Sequence, residues 1–156
     1  MEAVDRAGIE AMISRCSAET LYRRFFTPIP QPAEDETMLD RLPRVGPGDA
    51  VDVVEVAGRI VGMGSFHRQD GEDEAEVALL VEDAFQGRGL GTELVGHLAG
   101  RAVAAGVTRF VADTLVDNHG PLGAIRNAGY DPQRVASVGG VTRVIVPLIP
   151  AKQTTD

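Results

Sequence analysis

Three glycines in five positions, Gly87, Gly89 and Gly91, stand between the apolar run Val77–Val81 and a stretch in which Leu90, Leu94 and Leu98 recur every fourth residue. Glycine reaches backbone conformations that a Cβ forbids, so the segment reads as a tight turn. The leucine stripe, widened by Val95 and Ala102, gives the following segment the single apolar face of a helix over about 90–105. Gly106 then supplies the left-handed residue on which helices commonly stop. A strand that turns directly into an amphipathic helix commits the chain to a sheet covered by helices.

The flanking segments extend this pattern. Ile9, Ile13, Leu21 and Phe25 are spaced for one or two short helices between Glu2 and Phe26, and Ser17 offers a capping hydroxyl for the second. Three prolines in Thr27–Pro32 end it, and an acidic, Pro- and Gly-rich segment over 33–49 reads as a loop with one short helix near Thr37–Leu42. Val51–Val56 and Arg59–His67, joined by Ala57-Gly58, form a hairpin signal. Gln69–Glu76 reads as its acidic tip. Further on come a strand at Phe110–Leu115, a helix at Pro121–Asn127 ending at Gly129, and a hairpin through Gly139-Gly140. The expected class is therefore α/β with a mixed sheet, a single domain over 1–149 and a polar tail over 150–156.

Composition removes several functions. At 156 residues and 44% hydrophobic content the chain is of one-domain size and able to bury a core. A formal charge of −8 disfavours a general nucleic-acid binder, which needs basic residues to neutralise phosphates. No apolar run approaches the roughly 20 residues of a membrane span. The first sixteen residues lack a secretory hydrophobic core, and the one cysteine, Cys16, suits a reducing compartment, so the expectation is cytoplasmic. His67, His97 and His119 are not at ligand spacing, so no metal is expected.

The glycine loop carries the chemistry. A helix presents unpaired N–H groups and its positive dipole end at its N-terminus, which makes the loop a site for an anion, most naturally a phosphate. No lysine stands where a Walker loop requires one. The spacing G-x-G-x-G, with Thr92 in place of a third glycine, departs from the dinucleotide fingerprint, although Asp113 lies where a ribose-binding acid would. Dinucleotide binding stays open on these residues alone.

Gln86-Gly87-Arg88-Gly89-Leu90-Gly91 resembles the Gln/Arg-x-x-Gly-x-Gly/Ala signature of the GNAT superfamily of N-acetyltransferases. The resemblance extends through Ala75–Val81 before the loop and through Asn118 and Gly129-Tyr130 after it. Leu21–Phe26 is similar to a segment of bacterial protein-lysine acetyltransferases of the Pat type. The resemblance implies a mixed, mostly antiparallel twisted sheet flanked by helices, with a central pair of splayed strands. It implies acetyl-CoA as donor, its pyrophosphate held by the amides of Gly87, Arg88, Gly89, Leu90, Gly91 and Thr92 beside Gln86. Leu79, Leu80 and Val81 would pair with the pantetheine arm, an amide near Leu80 would hold the thioester carbonyl, and Asn118 would contact the same arm. The acceptor would be an amine, foremost a protein lysine, with a small polyamine or antibiotic amine as the alternative.

An amine with a pKa of about 10 is mostly protonated at neutral pH, so a base must take its proton. By the resemblance Glu76 is the first choice and Asp113 the second. Two features depart from the family pattern. Ile125 stands where many members place a tyrosine that protonates the leaving thiolate, and Met1–Asp5 is too short for the usual first strand. Together the two departures also admit a non-catalytic acyl-CoA sensor or interaction module, and the second leaves a sheet edge that a second copy of the chain could complete as a homodimer.

Overall fold

The computed structural model describes residues 3–26, 46, 48–69 and 73–149. The proposed short helix near Thr37–Leu42 and the tail over 150–156 lie outside them. The described chain opens with helices α1 (Ala3–Arg15) and α2 (Ala18–Phe25). Ser17 caps α2, its side chain accepting from the Thr20 N–H at 3.1 Å, as the sequence led one to expect. Strands β1 (Ala50–Val56) and β2 (Arg59–Arg68) follow, joined by Ala57 and Gly58 with φ of 51° and 78°. Two successive left-handed residues make a hairpin turn whose twist matches that of the strands.

Strand β3 (Glu74–Val81), a 3₁₀ turn (Asp83–Phe85), helix α3 (Leu90–Ala104), strand β4 (Arg109–Leu115), helix α4 (Gly120–Asn127) and the hairpin β5 (Gln133–Val138) and β6 (Val141–Pro147) complete the order. They build one six-stranded sheet, β1-β2-β3-β4-β6-β5, in which only the β3–β4 pair is parallel. The fold is thus the mixed, mostly antiparallel α/β sheet expected. Among the described residues its edges are β1 and β5.

Strand β3 begins earlier than the sequence reading placed it. Glu74 and Glu76 belong to the strand rather than to an acidic tip, because Ala75 between them and Val77 after them are buried and restore a period of two. Glu74 is held against β4 by an ion pair with Arg109 at 2.7 Å.

Two apolar cores lie on opposite faces of the sheet. Under α3 and α4, Val95, Leu98, Ala99, Leu122 and Ile125 pack on Phe66, Val77, Phe110 and Val144. The helix lies so close that a Cβ on Gly64 would come within 2.7 Å of Leu98. On the other face, Ile9, Met12, Ile13 and Leu21 of the first two helices pack on Ile60, Met63 and Leu80. Side chains on β3 alternate between these cores, which decides what faces the site.

Candidate active site

The pairing of β3 with β4 stops after Glu76 opposite Val111, although β3 runs on to Val81 and β4 to Leu115. Beyond that point the strands part, and a cleft of about 580 Å³ opens between them. One side is lined by the glycine loop and the starts of α3 and α4, the other by the end of α2. Glu76 sits where the strands diverge.

The register settles which backbone groups face the cleft. Hydrogen bonds from Gln69 N–H to the Glu74 carbonyl and from Glu82 N–H to the Val61 carbonyl fix the bonded pairs at even-numbered residues of β3. In an antiparallel ladder the intervening residues point their N–H and C=O the other way. Leu79 and Val81 therefore present main-chain groups to the parted side, whereas Leu80 spends its own on Met63 of β2 and buries its side chain beneath α1 and α2. The cleft-facing amides expected near Leu80 are those of its neighbours.

At the loop, Gly87 and Gly89 have φ of 73° and 84°, with open space where a Cβ would stand. Their requirement is conformational, and the space in front of them is free for a ligand. Gly91 differs: a Cβ there would meet Ala124 of α4 at 3.3 Å, so it serves the contact between helices. The first helical bond runs from Glu93 N–H to the Gly89 carbonyl. The amides of the preceding turn accordingly point out of the N-terminal end of α3. Arg88 is exposed, its guanidinium over the Phe85 ring at 5.2 Å, and Leu90 and Thr92 line the turn half-buried.

Gln86 has a use that its motif position did not disclose. Its side-chain amide donates to the Val81 carbonyl at 3.0 Å and to the Thr20 hydroxyl at 3.1 Å. It ties the free end of β3 to α2. Beside it, Asp83 accepts from the Ser17 N–H at 2.8 Å and pairs with the Ser17 hydroxyl at 2.7 Å. Burial alone would raise the Asp83 pKa, but these bonds outweigh it and hold the carboxyl below its ordinary value. Buried Glu82 is met by Arg15 at 3.1 Å. This polar seam anchors α2, whose last turn carries Arg23, Arg24 and Phe26 to the cleft.

The two candidate bases share the sheet face under α1 and α2, in different states. Both Asp113 oxygens are engaged by the Arg143 guanidinium, at 3.0 and 3.1 Å. Glu76 lines the cleft exposed and forms no ion pair among the described residues. His67 lies directly across from Glu76 on β2 and leans on Asp49 at 3.2 Å. On the far side, Asn118 and His119 line the cleft at the start of α4. Ile125 is buried in the core. Among the described residues no group of His, Cys, Asp and Glu is arranged to hold a metal, and no helix is long and apolar enough to cross a membrane.

Residues 17–130 match the sequence profile of the acetyltransferase (GNAT) family. The chain belongs to that family. Acetyltransferase Pat of Mycolicibacterium smegmatis is 38% identical over 106 residues, which cover 65% of this chain and 31% of that one. The chain thus spans less than a third of the length of this relative. The GNAT domain of S. lividans PAT superposes with a TM-score of 0.79 at 27% identity, over 93% of this chain and 86% of that domain. The yncA acetyltransferase of Salmonella typhimurium, solved with its cofactor acetyl-CoA, shares the fold at a TM-score of 0.66 and 21% identity, over 97% and 93% of the two chains. Sequence reading assigns no role to Arg24, although it lies in the Leu21–Phe26 segment, nor to Arg143, which stands thirty positions from its partner Asp113.

Proposed function

We propose that the chain is an N-acetyltransferase that moves the acetyl group of acetyl-CoA to an amine, by direct attack with Glu76 as base. The observation that carries this reading is the parting of β3 and β4 between a phosphate-suited helix start and a carboxylate that forms no ion pair among the described residues. The residues present fit the donor. Outward amides over 87–92 suit its pyrophosphate, and the outward main-chain groups of Leu79 with the N–H of Val81 suit an amide-bearing arm that adds like a strand. Asn118, just before α4, lines the cleft where it would meet the same arm. When bound, the donor supplies an activated acyl carbon, and the protein's part is to position it, admit the amine and remove a proton.

Glu76 fits the proton-removing role better than Asp113. Its carboxylate stands at the fork and is free to accept, whereas Asp113 would first have to release Arg143. The acceptor we propose is a protein lysine, on the likeness of the chain to Pat proteins. A soluble, reducing cytoplasmic setting accords with the single buried thiol of Cys16.

Calorimetry with acetyl-CoA tests the donor site. The wild type should bind, and Gly89→Val should weaken binding at least about tenfold, because valine resists positive φ and its side chain occupies the ligand's space. Absence of wild-type binding would end the proposal. The burial of Ile125, at the position where the resemblance implies a tyrosine, favours a second reading, an acyl-CoA sensor without turnover. A thiol-release assay over lysine peptides separates the two, since binding without any acetyl transfer would leave only the sensor.

A further inference from the structure

The acceptor side of the cleft holds two groups of opposite charge that the protein does not neutralise with each other. Glu76 is one. Arg24, near the end of α2, is the other: it lines the same cleft half-buried, with its guanidinium over the Phe25 ring at 4.8 Å. Among the described residues it forms no ion pair, whereas neighbouring Arg23 is held by Glu19 at 2.7 Å and Arg143 by Asp113 at 3.0 Å. Burial lowers the pKa of Arg24, and the charge of Glu76 only partly opposes that shift. A half-buried guanidinium without a hydrogen-bonded anion is poorly solvated, and its planar fork suits a carboxylate.

We propose that Arg24 binds a carboxylate carried next to the acceptor amine, so that the substrate of this face is a lysine flanked by aspartate or glutamate. The inference rests on the lysine reading above and deepens it. Glu76 draws the ammonium and Arg24 takes the neighbouring anion, which orients the amine toward the acyl carbon. In the transfer the ammonium first gives one proton to the Glu76 carboxylate, and the neutral nitrogen then bonds to that carbon and sheds its second proton to water. The carbon–sulfur bond breaks, and coenzyme A leaves as thiolate, which takes a proton from water. An acceptor carrying only positive charges, such as a polyamine, meets a fixed guanidinium beside the base and is disfavoured by like-charge repulsion.

The test uses the full chain, acetyl-CoA and three blocked peptides in which lysine stands between glutamates, alanines or arginines, followed by thiol release. The acidic peptide should exceed the neutral one at least about tenfold in kcat/KM, the difference lying in KM, with the arginine peptide last. Arg24→Gln should raise KM for the acidic peptide about tenfold while moving the neutral peptide's constants by less than about twofold. Arg24→Lys, which keeps the charge without the fork, should restore part of the preference. If Arg24→Gln instead shifts the pH profile of all three peptides alike and keeps their ranking, Arg24 acts through Glu76 and the proposal is overturned. Equal use of acidic and neutral peptides by the wild type would overturn it while leaving lysine acetylation standing. Turnover of none of the three would remove both.

Discussion

Two carboxylates on one sheet face are set apart by a single neighbour. Arg143 grips both oxygens of Asp113, and the same bonds raise the pKa of Arg143. Both oxygens of that carboxylate are already engaged, so its substitution should behave as a structural change. Glu76→Gln should lower kcat by about a hundredfold or more, the usual worth of a positioned general base, with acetyl-CoA affinity held within about twofold. Asp113→Asn should keep most of kcat and cost less than about 1 kcal/mol of stability, because the pair is partly exposed. Thiol-release kinetics and urea unfolding on the two variants check both statements, and the reverse pattern would reassign the base. None of this distinction is legible in the chain. Asp113 and Arg143 are thirty residues apart, and only the register of β4 against β6 puts them opposite each other.

At the scale of elements, the parts with local physics were legible and the parts set by pairing were not. The glycine loop and the leucine stripe locate α3 because both signals are carried within a few residues. Ser17 marks the start of α2 for the same reason. The beginning of β3 was misplaced, since Glu74 and Glu76 look like loop residues until Arg109 and the cleft account for their exposure. The use of Leu79 and Val81 rather than Leu80 as the free edge follows from which residues bond to β2, and no motif encodes that parity. The seam around Ser17 gives a test at this scale. Ser17→Ala loses the cap to Thr20 and the hydroxyl contact with Asp83 together. It should cost about 1 to 2 kcal/mol by urea unfolding, and it should raise KM for the acceptor more than for acetyl-CoA, because α2 carries Arg24. A loss confined to stability would show that α2 holds its place without the seam.

For the molecule as a whole, the two cores make the first two helices a cover over one face of the sheet, and we expect that cover to open apart from the rest. Cys16 reports on that cover. Its thiol is buried and pushed up to about 12, first by burial and then by the charges of Asp83 and Glu82. An acid whose pKa is raised on folding adds stability that is complete below its unfolded value, about 8.5, and is lost as pH rises toward the folded one. Stability should therefore fall between about pH 9 and 12, and a Cys16→Ser variant should lack that part of the slope. Thiol labelling near neutral pH then measures opening of the cover, since the thiolate is suppressed while the cover is closed. Thr20 of α2 lines the cleft together with the loop and β3, so a ligand bound there should favour the closed form. At a hundred times its dissociation constant, acetyl-CoA should add about 2.7 kcal/mol to closure and slow labelling about a hundredfold. Spectroscopic unfolding would register the same gain as a higher midpoint. If acetyl-CoA raised the midpoint but left the labelling rate untouched, the cover would open with ligand still in place, and α2 would have no part in holding the donor.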